Sequence, residues 1–316
     1  MAREPHFAAP DPREIDPRVV RRAFGRAAAT YDSAAVLQRE VGARMAARLD
    51  YVKTAPALIL DAGCGTGEAV GEFSARYQQA RVVALDIALP MVQAARERTR
   101  AAGSLLQRLL SGKLAAWTRH DDVSPRFLCG DVNALPFRGV AFDLIWSNLV
   151  LQWVNDVPRV LAEMRRVLKV GGLVSFTTLG PDTLKEVRTA FAQADGFTHT
   201  NRFLDMHDVG DMLVQAGFAD PVMDMELITL TYADAASLMR ELQQLGATNA
   251  TRGRPRGLMG RNRWRRATAK LEALRRDGRI PATFEVIYGH AWKGMPKHTA
   301  DGHPIVNISR PTPRRR

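Results

Sequence analysis

The sequence predicts a parallel, doubly wound α/β sheet with helices on both faces, and three observations carry that prediction. After Pro56, short apolar runs of strand length alternate with amphipathic segments of helix length, the pattern of successive βαβ units. The first such run, Ala57-Leu-Ile-Leu-Asp61, passes straight into a glycine-rich turn that opens a helix. The 316 residues, 46% of them apolar, are ample for a buried core and exclude a disordered, collagenous or disulfide-stapled chain.

Element by element, residues 1–16 are Pro-rich and polar and read as a mobile arm. Asp16-Pro17 supplies an N-cap and a first-turn proline for a helix reaching about Ala28, and a second helix is expected from about Ser33 to Leu49. Ala57–Asp61 is a strand, Glu68–Tyr77 a helix, Arg81–Asp86 a strand, Pro90–Ala101 a helix and Arg126–Cys129 a strand. Phe142–Trp146 is the fourth strand, Val157–Leu168 a helix, and Leu173–Thr178 a strand after a Gly171-Gly172 turn. Helices at Asp182–Ala194, His207–Ala216, Ala233–Leu245 and about Asn262–Arg276 accompany two late strand-like runs, Val222–Thr231 and Thr283–Trp292, expected as antiparallel edge strands. Residues 103–125 interrupt the pattern as an insertion, with Leu105, Leu106, Leu109 and Leu110 at amphipathic spacing.

The net charge of +12 is regional. Residues 252–316 carry 17 Lys and Arg against four acids, a balance of +13, which leaves residues 1–251 at −1. A localised basic surface steers an acidic partner: nucleic acid, anionic membrane or an acidic protein. The most apolar stretch, Phe142–Val154, is broken by Asp143, Ser147, Asn148 and Gln152, so no window spans a membrane. Two cysteines without metal-ligand spacing and an N-terminus without an apolar signal core fit a cytoplasmic protein.

The chemistry is carried by Leu58-Ile-Leu-Asp61-Ala-Gly63-Cys-Gly65-Thr-Gly67-Glu68. Gly63, Gly65 and Gly67 allow a ligand close to the backbone, and the helix they open adds free N–H groups. Asp61 precedes the first glycine by two residues, where it would meet a cation and repel a pyrophosphate. Asp86 ends the second strand, placed to accept from ribose hydroxyls, and Asp131 follows the third, placed to accept from an adenine amino group. An ammonium, a ribose and an adenine laid across three strand ends describe S-adenosylmethionine. Ile87 and Met91 after Asp86, Val132 after Asp131, Asn148 after the fourth strand and Gln38 in the second helix complete the candidate cofactor set.

This set resembles the class I S-adenosylmethionine-dependent methyltransferases across about residues 55–180. The resemblance implies their Rossmann-like fold: a mainly parallel seven-stranded sheet with an α-helical substrate lid. The fourth strand lacks the Asn/Asp-Pro-Pro-aromatic turn of many base amino-methyltransferases, and no cysteine cluster supports radical chemistry. Further segments narrow the resemblance. Phe24-Gly-Arg-Ala-Ala-Ala-Thr-Tyr31-Asp, Trp146-Ser-Asn148-Leu-Val-Leu-Gln-Trp153, Phe176-Thr-Thr-Leu-Gly-Pro, Asn201-Arg202-Phe203, Leu242-Gln-Gln-Leu-Gly246-Ala-Thr-Asn249 and Pro281-Ala-Thr-Phe-Glu-Val-Ile-Tyr288 resemble, in order, the malonyl-acyl-carrier-protein O-methyltransferases of biotin synthesis (the BioC family). The likeness covers about residues 17–293, with 17–54 as N-terminal helices, 55–180 as cofactor core and 181–280 as lid and late elements. The 103–125 insertion and the 294–316 basic tail lie outside it.

That resemblance implies methylation of the free carboxylate of a malonyl thioester. The carboxylate is already ionised, so alignment and desolvation replace a general base. A dry carboxylate needs a fixed cation, for which Arg202 is the candidate. Tyr31 is placed to orient that carboxylate or the methionine end of the cofactor, and Trp153 and Phe176 are candidates for the acyl pocket. The partner implied is an acidic acyl carrier protein carrying a malonyl group, steered by the basic region Arg252–Arg279, and nucleic acid is disfavoured. Two alternatives stand beside this reading: an enzyme related to the protein-arginine hydroxylases of complex I assembly, and an RNA-associated methyltransferase.

Overall fold

The computed structural model describes residues 11–109, 123–192, 200–254, 257 and 259–295, with the backbone alone over 103–109. Helix α1 (Pro17–Ala27) starts where the Asp16-Pro17 pair predicts, the Asp16 carboxylate accepting from the Arg18 amide at 3.0 Å. The second predicted helix is two, α2 (Tyr31–Ala34) and α3 (Val36–Arg48), broken at Ala35 (ψ 45°), where Ala34 and Ala35 pack on Leu245. Part of the expected mobile arm is anchored. Ile15 is buried, bridges to Thr251, and exchanges hydrogen bonds of 2.8 and 2.9 Å with the Asn155 side chain. Residues 1–10 and 296–316 lie outside the described residues.

The βα alternation follows as expected: β1 (Leu58–Ala62), α4 (Glu68–Arg76), β2 (Arg81–Asp86), α5 (Leu89–Leu109), β3 (Arg126–Cys129), β4 (Phe142–Ser147), α6 (Val157–Val167) and β5 (Leu168–Leu179). Helix α5 runs eight residues beyond its expected end, so the insertion begins as its continuation; residues 110–122 lie outside the described residues. The predicted Gly171-Gly172 turn is instead a bulge inside β5. Phe142 pairs with Leu168 and Leu144 with Leu173, so Lys169–Gly172 loop out, with Gly171 at φ +76°. Then come α7 (Lys185–Ala192), α8 (Met206–Gln215), β6 (Ala219–Tyr232), α9 (Ala235–Gln244), α10 (Arg261–Glu272) and β7 (Ile280–Trp292).

The seven strands are ordered β3-β2-β1-β4-β5-β7-β6. Both late runs are strands, but β7 alone opposes the sheet: it is antiparallel to β5 and to β6, which returns β6 to the common direction at the edge. Strand order reverses between β1 and β4, and the crevice at their carboxyl ends is where such sheets bind ligands. One apolar core lies under α3, α4, α7, α9 and α10 around Phe73 and Trp146; the other lies under α6 and α8 around Phe142 and Phe176. Among the described residues no helix is long and apolar enough to cross a membrane.

Candidate active site

At the end of β1 the glycine turn is fixed by its neighbour strand. The amides of Gly63 and Cys64 both donate to the Leu85 carbonyl, at 2.7 and 3.0 Å. Gly63 sits at φ +88°, and a Cβ there would lie 2.2 Å from Val150 Cγ2, so no other residue fits. Gly67 (φ +81°) caps α4, and a Cβ there would come within 2.7 Å of Ala95 Cβ; it shapes the turn and lines none of the cavities described below. Asp86 braces the loop, its two carboxylate oxygens accepting from Gly65 N at 3.0 Å and Ala88 N at 2.8 Å. Its pKa is pushed up by burial, against the pull of these amides.

Asp61 is in a different state. It is 2% exposed, and its Oδ2 is buried with no hydrogen-bond partner. Burial, with the Asp86 charge adding to it, pushes its pKa up to about 8. A buried carboxylate oxygen left unpaired costs free energy until a cation meets it, so the site fits a ligand with an ammonium group here.

The crevice holds a cavity of about 370 Å³ lined by Gly63, Gly65, Asp86, Ile87, Met91, Asp131, Val132 and Asn148, and roofed by Pro17, Val20 and Phe24 of α1. Asp131 Oδ1 accepts from both the amide and the side chain of Asn133 at 2.8 Å, which sets the carboxyl on the rim. Asn148 spans the sheet, donating to the Gln38 carbonyl at 3.0 Å and accepting from Thr177 Oγ1 at 2.7 Å. A smaller space of about 120 Å³ beside it is bounded by Asp61, Gln38, Asn148 and Tyr31. Of the expected cofactor residues, Gly63, Gly65, Asp86, Ile87, Met91, Asp131, Val132 and Asn148 line the larger cavity, Asp61 and Gln38 line the smaller space beside it, and Gly67 lines neither.

A third cavity, of about 240 Å³, lies under the late elements. Leu179, Leu184, Val187, Phe191, Phe203 and Phe284 give it apolar walls, and Gln38, Gln152, Asn201, Gln243, Thr248 and Asn249 give it polar points. Gln38 Oε1 and Asn201 Oδ1 are buried without partners and can accept from N–H groups of an occupant. Tyr31 borders all three spaces. Burial, with Asp86 and Asp32 adding to it, raises the pKa of its hydroxyl, which therefore stays protonated as a donor at neutral pH. Trp153 lines both larger cavities and meets Phe24 edge-on at 5.1 Å.

Two expected substrate residues stand elsewhere. Phe176 is fully buried in the core and lines no cavity described above; its ring lies over Gly289, where a Cβ would come within 2.3 Å. Arg202 is exposed and lines a neighbouring cavity with Asp11, Arg13 and Glu14. Its sequence neighbours Asn201 and Phe203 line the apolar-walled cavity, and Gln152 borders both spaces. Sequence reasoning did not single out Phe24, Gln152, Phe203, Leu242 or Asn249 as wall residues, although each lies inside a segment that carried the resemblance.

A model of the family described as methyltransferase domain matches residues 60–176. The malonyl-[acyl-carrier protein] O-methyltransferase of Gallionella capsiferriformans is 50% identical over 295 residues, 93% of this chain and 97% of that protein. That of Laribacter hongkongensis is 52% identical over 292 residues, 92% of this chain and 94% of that protein. Among solved structures the YcgJ protein of Bacillus subtilis superposes with a TM-score of 0.55 at 18% identity, covering 80% of this chain and 98% of that one, a likeness of fold.

Proposed function

The chain belongs to the malonyl-[acyl-carrier protein] O-methyltransferase family, and on that footing we propose that it transfers the methyl group of S-adenosylmethionine to the free carboxylate of malonyl-acyl carrier protein, for biotin synthesis in the cytoplasm. The observation that carries the reading is the meeting of an acid-lined crevice and an apolar-walled cavity at Tyr31, beside the unpaired carboxylate of Asp61.

S-adenosylmethionine supplies an activated sulfonium methyl group. Asp61 would hold its ammonium, Asp86 its ribose hydroxyls and Asp131 its adenine amine. The methyl acceptor would be a carboxylate already ionised at neutral pH, so no base is needed and none is assigned. The protein's work is alignment and exclusion of water. Phe24, Leu149 and Trp153, shared by both cavities, dry the junction, and the Tyr31 hydroxyl donates to the carboxylate oxygen that does not react. The buried oxygens of Gln38 and Asn201 take amide N–H groups of the thioester arm. Arg202 is assigned the charge of the carboxylate, which requires its side chain to turn past Gln152 from the neighbouring cavity.

Malonyl-carrier protein, purified enzyme and S-adenosylmethionine should give the methyl ester, read by mass spectrometry of the carrier. Tight cofactor binding with no ester from any malonyl thioester would sink the assignment. Arg202→Ala should keep cofactor affinity and lose most turnover; unchanged turnover removes Arg202 from the mechanism and leaves Tyr31 and Gln152 as the polar contacts.

A further inference from the structure

We infer that the exposed face of α10 is the docking surface for the acidic carrier protein, an inference that rests on the function proposed above and adds where the partner sits. Helix α10 buries only Ala267 and Leu271 among its twelve residues, and its first six positions, 261–266, are all exposed. Arg261, Arg263, Arg265 and Lys270 form no ion pair among the described residues, and Arg265 donates to the neutral Asn262 side chain at 3.1 Å. The helix has one acid, Glu272, already held by Arg275 and by the Ala235 amide. Arg261 and Arg265, four residues apart, are neighbours on the helix surface and Arg263 and Lys270 share its other exposed flank, so like charges raise the energy of the helix and an acidic surface laid against it relieves it.

Position ties this charge to the active site. Helix α10 packs against α7 and α9, and both of those helices line the apolar-walled cavity. Trp264, 38% exposed, meets Phe191 of that cavity wall edge-on at 6.1 Å. A carrier seated on α10 therefore rests one side chain from the space its acyl arm enters, on an Arg and Trp surface of the kind enriched in protein interfaces.

The test is the variant Arg261→Glu, Arg263→Glu, Arg265→Glu, assayed with malonyl-carrier protein and with malonyl-pantetheine, which lacks the protein. The expected result at low salt is a KM for malonyl-carrier protein raised about tenfold or more, with kcat kept and the malonyl-pantetheine KM within about twofold of the unaltered enzyme. Affinity for the unloaded carrier, read by fluorescence anisotropy, should fall in parallel and reports docking apart from turnover. Equal losses on both substrates, or carrier affinity unchanged by the substitutions, overturn the inference. A variant that loses salt-dependent RNA affinity while binding the carrier normally assigns the surface to nucleic acid. If the unaltered enzyme binds the carrier but makes no ester, the proposed reaction fails while the docking result stands on its own.

Discussion

Asp61 is an almost fully buried carboxylate, and no donor among the described residues satisfies its Oδ2. Held up to about 8 from the usual 3.8, it binds a proton in the folded protein that the unfolded chain has already released. The sign follows: its contribution to stability is fully present below about pH 4 and is lost as pH rises towards about 8. An ammonium ligand reverses the preference and expels the proton. Calorimetry of S-adenosylmethionine binding at pH 7 in buffers of different ionisation heat should therefore show proton release close to one per site beyond that of Asp61→Asn. The same variant should weaken binding by about 2 kcal/mol, roughly thirtyfold in Kd, the worth of a charge-assisted hydrogen bond. Phe176 makes the opposite case, an aromatic whose place is the core. Phe176→Ala should cost about 3–5 kcal/mol in denaturant unfolding. Whatever remains folded should keep its KM, and a selective KM defect at full stability would return Phe176 to the pocket.

Elements decide access. Helices α1 and α2 roof the cofactor crevice, and their fastening is local: Asp32 of α2 accepts from Thr66 Oγ1 at 2.5 Å in the glycine turn and pairs with Arg98 of α5 at 3.3 Å. Ile15 and Asn155 fasten the other end of the roof. A half-exposed ion pair contributes about 1 kcal/mol at most, so Asp32→Ala should leave the melting temperature almost unchanged. The same energy lost from the closed roof predicts roughly fivefold faster cofactor release, measurable by stopped-flow displacement. Release at the parental rate would mean that the roof opens without parting this clasp. The elements themselves were legible because the βα alternation is a property of local hydrophobic period. The break at Ala35 and the bulge at Lys169–Gly172 were not, since each answers to a partner far along the chain: Leu245 for the first, and the offset pairing with β4 for the second. The direction of β6 was hidden for the same reason, because a strand's sense in a sheet is set by its neighbour β7.

At the scale of the molecule, charge is divided unevenly along the chain. The chain up to residue 251 is nearly neutral and contains the strand-end acids Asp61, Asp86 and Asp131, while the excess of +13 lies beyond it. Raising ionic strength from about 20 to about 200 mM shortens the reach of exposed charge from about 20 to about 7 Å. The KM for malonyl-carrier protein should accordingly rise several-fold over that range while the KM for malonyl-pantetheine stays flat. A flat response from both would remove long-range steering from the account.

By itself the sequence determined the sheet class, the glycine turn, the strand-end acids of the crevice and the family resemblance that the relatives bear out. These are features written in consecutive residues, where spacing alone fixes geometry. Only the tertiary structure decided that Tyr31 stands where three spaces meet, that Phe176 turns into the core, that Arg202 faces a different cavity from its two neighbours, and that α10 packs on the helices that wall the apolar cavity. Alternate residues of a segment face opposite ways, and which way each faces is fixed by packing against elements up to two hundred residues distant.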